Sequence, residues 1–314
     1  MTSSPSGPAT SAPTLSVIVP TYARPERLAA CLDALARQEP PAGGLEVVVV
    51  DDGSPTPAAS VAAPFEGRLD LTVLRQPNAG PAVARNTGAA RARGALLAFT
   101  DDDCQPEPGW ARALVEAAQR HPDHLLVGET VNALPQNPFA TASQLLISYL
   151  YDYFGPESGR ALFVASNNMA LPAESFRAMG GFDATFGLAA GEDRDFAVRW
   201  HEAGRPAALV PGAVVQHAHE MGLLGFWRQH THYGRGAAHY HDLRGERGVG
   251  DQGVEPLGFY AGLVAYPLRE SVAPKAWLHA GLLGLAQVAN ALGYAAARRG
   301  RAPKRVRPST RRRF

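Results

Sequence analysis

The run Ala95-Leu-Leu-Ala-Phe-Thr-Asp101-Asp102-Asp103-Cys104 constrains this chain more than any other stretch. Small and apolar residues without a charge predict a strand buried on both faces, and three carboxylates stand where that strand must stop. Adjacent carboxylates repel one another and resist burial, so a strand end tolerates them in open solvent or opposite a cation. Open α/β sheets bind ligands beyond the carboxyl ends of their strands, which is where these acids fall. The triplet reads either as a solvated acidic turn or as the seat of a divalent metal holding a diphosphate.

The chain around it predicts the sheet. Residues 15–19 form a β-branched run ended by Pro20, and 25–38 read as a helix with Pro25 in its first turn. Leu28, Cys31, Leu32 and Leu35 make one apolar stripe along it. Strands follow at 46–50 and 71–74, a helix at 81–92, and the acid-ended strand at 95–99. Apolar strands alternating with helices indicate a parallel sheet covered on both faces. Further on, helices are expected at 108–120, 139–153 and 191–203, and strands at 125–131, at 162–165 and at 207–216, the last broken by Pro211.

Four polar groups fall at predicted strand ends or beside them: Pro20-Thr21-Tyr22, Asp51-Asp52, Arg85-Asn86 and Asp101 to Asp103. Parallel strands bring such ends to one edge, so a single ligand can meet them all. Tyr22 suits stacking on a base, Asp52 accepting from a base N–H, and Arg85 offsetting phosphate charge; Asp101 and Asp103, two apart, suit ribose and metal. Singly, each is also an ordinary turn or helix-surface residue. Asn167 and Asn168 are candidates for reading sugar hydroxyls or for a turn, and Trp200 and Trp227 for sugar stacking or core packing.

These segments resemble family 2 glycosyltransferases, the large inverting class on the nucleotide-diphospho-sugar (GT-A) fold. The carriers are Ser16-Val-Ile-Val-Pro-Thr-Tyr22, Val49-Val-Asp-Asp-Gly-Ser54, Ala84-Arg-Asn-Thr-Gly88 and Phe99-Thr-Asp-Asp-Asp103, then Ser166-Asn-Asn-Met-Ala170, Gly180-Gly-Phe-Asp183 and Gly191-Glu-Asp-Arg-Asp-Phe196. The resemblance implies a Rossmann-like, mostly parallel sheet flanked by helices over residues 15–240. It implies that Asp103 ends an Asp-x-Asp metal motif, that Asp52 contacts the base, and that Asp101 or Asp102 meets the ribose. The implied metal ligands are Asp103, Asp101 and His217; His219 is an alternative, and an imidazole suits Mn²⁺ better than Mg²⁺. An inverting transfer needs a base for the acceptor's proton. The resemblance places it in the Glu192–Asp193 pair, Asp193 first and Glu192 second, with Asp195 last.

Composition narrows the alternatives. A strand-one loop without glycine (Pro20 to Pro25) argues against sugar nucleotidyltransferases and dinucleotide oxidoreductases. No Gln-x-x-Arg-Trp motif is present, so the expected transfer is non-processive, to a lipid-linked glycan, a polysaccharide precursor or a small molecule. The other reading is a catalytically inactive scaffold of the same fold, or a sugar-nucleotide-binding protein, tethered to a membrane by its basic C-terminal tail. Nine Lys or Arg residues lie from Arg298 onward, leaving the rest of a chain of net charge +1 at −8. That tail predicts an anionic surface, and the acidic body argues for membrane over nucleic acid. Residues 278–297 carry no charge and 241–297 read as a helical extension, lying on the inner leaflet or packed on the body. Residues 1–14, rich in Ser, Pro, Thr and Ala, are expected to be disordered, as are 298–314. Two unpaired cysteines and no apolar leader predict a cytoplasmic protein, peripheral on the inner membrane face.

Overall fold

The computed structural model describes residues 12–155, 158, 162–187, 190–248, 255–270 and 274–300. The segment before residue 12 and most of the basic tail, beyond residue 300, lie outside the described residues. The first half runs β1 (Leu15–Thr21), α1 (Pro25–Ala36), β2 (Leu45–Asp51), α2 (Ala58–Ala62), β3 (Asp70–Arg75), α3 (Pro81–Arg91) and β4 (Leu96–Thr100). Then come β5 (Cys104–Pro106), α4 (Trp110–Arg120), β6 (Leu125–Asn132), α5 (Pro138–Phe154), β7 (Asn168–Pro172) and α6 (Ala173–Ala178). The chain ends with α7 (Glu192–Glu202), β8 (Ala207–His217), α8 (Leu223–Glu246), α9 (Leu257–Ala265), α10 (Pro267–Glu270) and α11 (Lys275–Gly300).

The eight strands form one sheet in the order β3-β2-β1-β4-β7-β6-β8-β5. Strands β3, β2, β1 and β4 are parallel, as their apolar runs require, and β7 enters antiparallel between β4 and β6. Side chains alternate across the sheet, so Val17 and Val19 join the core under α1 and α4. Ile18 points the other way, into a second core with Phe99, Phe176, Phe182, Phe196 and Trp200. Burial of both faces explains why these strands carry no alternating polar residues.

Some sequence expectations shift. Residues 162–165 are irregular, and the strand instead begins at Asn168. Pro211 does not break β8. Val210 faces Gly128 and Val214 faces Glu129, so residues 211–213 bulge out of a continuous pairing with β6. The expected boundary at 240/241 falls inside α8, which continues to Glu246.

A third apolar cluster joins α5, α8, α9 and α11 through Leu146, Phe226, Leu263, Leu283 and Ala286. Helices α8 and α11 run side by side in one direction: Gly234 meets Asn290, and Arg298 pairs with Asp242. A Cβ at Gly234 would collide with the Asn290 carbonyl, and one at Gly293 with that of Thr231, so glycine sets this close approach. By length and composition alone, residues 275–299 of α11 are long and apolar enough to cross a membrane, with 28% of the apolar window buried.

Candidate active site

Parallel register puts Thr21 beside Asp51 and Ile18 beside Phe99, so the segments leaving β1, β2 and β4 emerge at one edge. A cavity of about 1620 Å³ opens there, between the sheet edge and the helices α5, α8, α9 and α11. Pro20, Thr21, Tyr22, Asp52, Arg85, Asp101, Asp102, Asp103, Glu192, Asp193 and His217 all line it. The structure thus brings these eleven residues to one cavity.

Each acid of the first half is held differently. Asp52 accepts from the Ala79 and Gly80 backbone N–H groups (2.9 and 2.8 Å) and from Gln76 Nε2 (2.8 Å), so the loop before α3 closes over it. Asp101 accepts from Arg85 Nη2 at 2.6 Å. Asp102 accepts from Thr21 Oγ1 (2.8 Å) and Arg24 Nη1 (3.0 Å). Burial pushes Asp102 up to about 6; Arg24 opposes this, and the neighbouring acids add to it.

Asp103 lies against Arg24 (3.3 Å), Arg27 (3.2 Å) and His217 Nε2 (3.3 Å). Burial alone would raise its carboxyl, but the His217 hydrogen bond and the surrounding positive charges hold it well below the usual range. His217 is raised despite its burial, because Asp103 accepts its hydrogen bond. Burial pushes His219 down to about 4, which keeps that imidazole neutral.

Among the described residues, one cluster can offer a metal three ligands: Asp103, His217 and His219, with donor atoms within 4.8 Å of one another. One carboxylate and two imidazoles are ordinary ligands of a divalent ion, so the residues present fit such a metal. Asp101 does not join that group; its carboxylate is drawn to Arg85 instead. His219 takes the third place because Cys104 pairs with His217 in β5–β8, and Ala218 N–H donates to the Asp103 carbonyl. That pairing folds the segment after β8 back over the acids.

The second acid pair sits at the start of α7. Gly191, at φ +104, precedes the helix in a conformation that other residues rarely adopt, and turns Glu192 and Asp193 into the cavity. Glu192 is 4% exposed, and its Oε1 accepts from Arg85 Nη1 at 2.9 Å. Burial and the Asp193 charge push it up to about 7 against the pull of Arg85. Asp193 accepts from the Arg194 N–H (2.8 Å) and Ser166 N–H (3.4 Å), and burial raises its carboxyl too. Arg85 therefore ties the acids after β4 to the acids of α7.

Several sequence candidates prove structural. Asp195 is locked between Arg199 and Arg247 and does not line the cavity. Asn168 is buried, accepts from Trp110 Nε1 (2.9 Å) and donates to the Glu129 and Ala213 carbonyls, pinning three strands; only Asn167 lines the cavity. Asn86 fastens the Phe182 backbone, and Trp200 is a core residue. Trp227 lies outside the cavity wall. Sequence reasoning missed Arg24 and Arg27, whose signal was two cations one helical turn apart beside Thr21-Tyr22. It also missed Gln229, His230 and Tyr233 of α8, which no short motif marks.

A parallel-stranded sheet edge bearing clustered acids, a group of three possible metal ligands and a raised acid pair mark this cavity as the candidate active site. The sequence profile of glycosyl transferase family 2 matches residues 16–178, and this chain belongs to that family. It is 35% identical over 205 residues to the pre-mycofactocin glycosyltransferase of Mycobacterium tuberculosis, covering 62% of this chain and 42% of that protein. It is 32% identical over 225 residues to the validoxylamine A glucosyltransferase of Streptomyces hygroscopicus subsp. jinggangensis, covering 63% and 53%. The chain spans about half the length of these curated relatives. In fold it is similar to the mannosyltransferase PcManGT from Pyrobaculum calidifontis in complex with GDP-Man and Mn²⁺, at TM-score 0.59 and 22% identity over 90% of this chain and 89% of that one. It is also similar to S. aureus TarS 1-349 in complex with UDP-GlcNAc, at TM-score 0.53 and 18% identity, covering 91% and 92%. The architecture is that of GT-A glycosyltransferases.

Proposed function

We propose that this chain is an inverting, metal-dependent, non-processive glycosyltransferase that moves one sugar from a nucleoside-diphosphate donor to an acceptor hydroxyl. The observation that carries the reading is the convergence in one cavity of the Asp103–His217–His219 group and the Glu192–Asp193 pair. A divalent ion, when bound, stabilises the charge that develops on the departing diphosphate. Tyr22 and Asp52 hold the base, Asp101 or Asp102 the ribose, and Arg24 and Arg27 add positive charge beside the diphosphate. The acceptor oxygen bonds to the sugar C1 as the C1–O bond to phosphate breaks and its electron pair leaves with the nucleoside diphosphate. Asp193 takes the acceptor's proton. Glu192 positions Arg85, and through it Asp101.

Calorimetry with a panel of nucleoside diphosphates, with and without Mn²⁺, tests the donor half on wild type and Asp103→Ala. Metal-dependent binding of one nucleotide, lost in the variant, is expected. No binding of any nucleotide would leave only the reading as an inactive scaffold. The configuration of the product, read by NMR coupling constants, tests inversion.

The same proposal places the chain on an anionic bilayer. Trp277, Val288 and Leu292 share one face of α11, each more than half exposed, and no charge interrupts residues 276–297. The nine Lys and Arg residues from Arg298 onward complement acidic headgroups. Co-sedimentation with phosphatidylglycerol vesicles, lost with phosphatidylcholine vesicles and weakened by Val288→Glu, is the expected outcome. Equal recovery in the supernatant with both lipids would refute it.

A further inference from the structure

Among the described residues, six unpartnered buried polar atoms, besides Arg85 Nε, belong to residues that line the cavity. They are Thr130 Oγ1 at the end of β6, Asn167 Oδ1 before β7, Glu192 Oε2, and on α8 Gln229 Oε1 and both ring nitrogens of His230. His230 is the clearest case. It is 1% exposed, wedged between Phe226 and Tyr233 at ring separations of 4.3 and 5.4 Å, yet it makes no hydrogen bond. Burial pushes its imidazole down to about 4, so it is neutral, with one nitrogen to donate and one to accept. Buried polar groups are normally paired, and a cavity wall that leaves several of them open is built for a polar ligand.

The same cavity also has an apolar lining. Leu146, Ile147 and Leu150 of α5, Phe259 and Leu263 of α9 and Ala291 of α11 contribute it. A cavity that offers both apolar and hydroxyl-matching side chains suits an amphipathic molecule. Neutral Thr, Asn, Gln and His, capable of both donating and accepting, match hydroxyl groups rather than a charged group.

We propose that these polar and apolar side chains form the acceptor subsite, and that it takes a polyhydroxylated ring joined to an apolar group. Ring hydroxyls meet Thr130, Asn167, Gln229 and His230, and the apolar group lies along α5 and α9. The inference rests on the transferase reading, since Glu192 and Asp193 line the same cavity and one ring hydroxyl must reach Asp193.

Equilibrium binding needs no turnover and tests the subsite apart from transfer. The probes are the octyl and 4-nitrophenyl glycosides of glucose, galactose and mannose with the matched free hexoses, on protein whose nucleotide affinity is measured in parallel. At least one octyl or nitrophenyl glycoside is expected to bind tenfold or more tighter than its free hexose. The better of the two identifies the apolar group as an aliphatic chain or an aromatic ring. Thr130→Val and His230→Leu should each weaken that binding at least fivefold while nucleotide affinity stays within twofold. Should His230→Leu fail to fold, the near-isosteric Thr130→Val and Gln229→Leu carry the test. Free hexoses binding as well as their glycosides, no glycoside binding at all, or variants that bind like wild type would overturn the assignment. Loss of nucleotide binding in the wild-type protein would instead strike the transferase reading.

Discussion

The two ends of the cavity solve the problem of buried polarity in opposite ways. At the sheet edge nearly every charged group has a partner: Asp52 has backbone amides, Asp101 has Arg85, Asp102 has Thr21, and Asp103 has two arginines and a histidine. Elsewhere in the cavity Thr130 Oγ1, Gln229 Oε1 and both His230 ring nitrogens have none. An ion network fixes its members in place before any ligand arrives, which suits the stabilisation of charge. Open hydrogen-bonding atoms leave their energy to be released when a ligand fills them, which suits selection among acceptors.

Changes at the charged end should cost most. Asp103→Ala is expected to lower kcat/KM by about a thousandfold and abolish metal-dependent nucleotide binding, read by steady-state kinetics and calorimetry. Asp193→Asn should lower kcat by about 10²- to 10⁴-fold while leaving nucleotide affinity near that of wild type. If its effect fell on nucleotide affinity alone, the division between the two ends would be drawn in the wrong place.

The adjacent amides sharpen the division further. Asn168→Ala removes three hydrogen bonds from a fully buried site and should cost about 2–4 kcal/mol of unfolding free energy, read by denaturant titration. Asn167→Ala should leave stability nearly unchanged and raise the acceptor KM by a few fold.

Acidity gives the smallest effect. Glu192, raised from 4.5 to about 7 by burial, binds a proton more readily folded than unfolded. Its contribution to stability is therefore fully present below pH 4.5 and is lost as pH rises toward 7. Glu192→Gln should flatten that decline, raising Tm at pH 8 relative to pH 5 by a few degrees compared with wild type. Parallel Tm curves for the two proteins would contradict the burial argument.

The charged end was legible in the sequence because strand ends announce themselves. An apolar run that stops at Asp51-Asp52 or at Asp101 to Asp103 fixes both the strand and the edge its acids occupy, and the structure placed them together. The direction of β7 was not legible, because a five-residue strand centred on Met169, Ala170 and Leu171 pairs equally well either way and the choice depends on long-range contacts with β4 and β6. The ion pair of Asp101 was not legible for a local reason: two acids on a turn look equivalent until Arg85 of α3 pairs with one of them. The acceptor subsite was illegible altogether. Gln229 and His230 sit among several histidines and aromatics on α8, and only the packing of α11, permitted by Gly234 and Gly293, decides which of them faces inward.

The antiparallel entry of β7 has a consequence for how this sheet assembles. Strands β3, β2, β1 and β4 form one continuous parallel block, whereas β6, β8 and β5 reach it only through β7. Strand β7 is thus a seam between two half-sheets. His217 and His219 belong to the far half, Asp103 to the junction. Native-state hydrogen exchange should show amides of β6 and β8 opening together at lower free energy than those of β1 and β2. Catalytic competence would then be the first property forfeited when the seam parts.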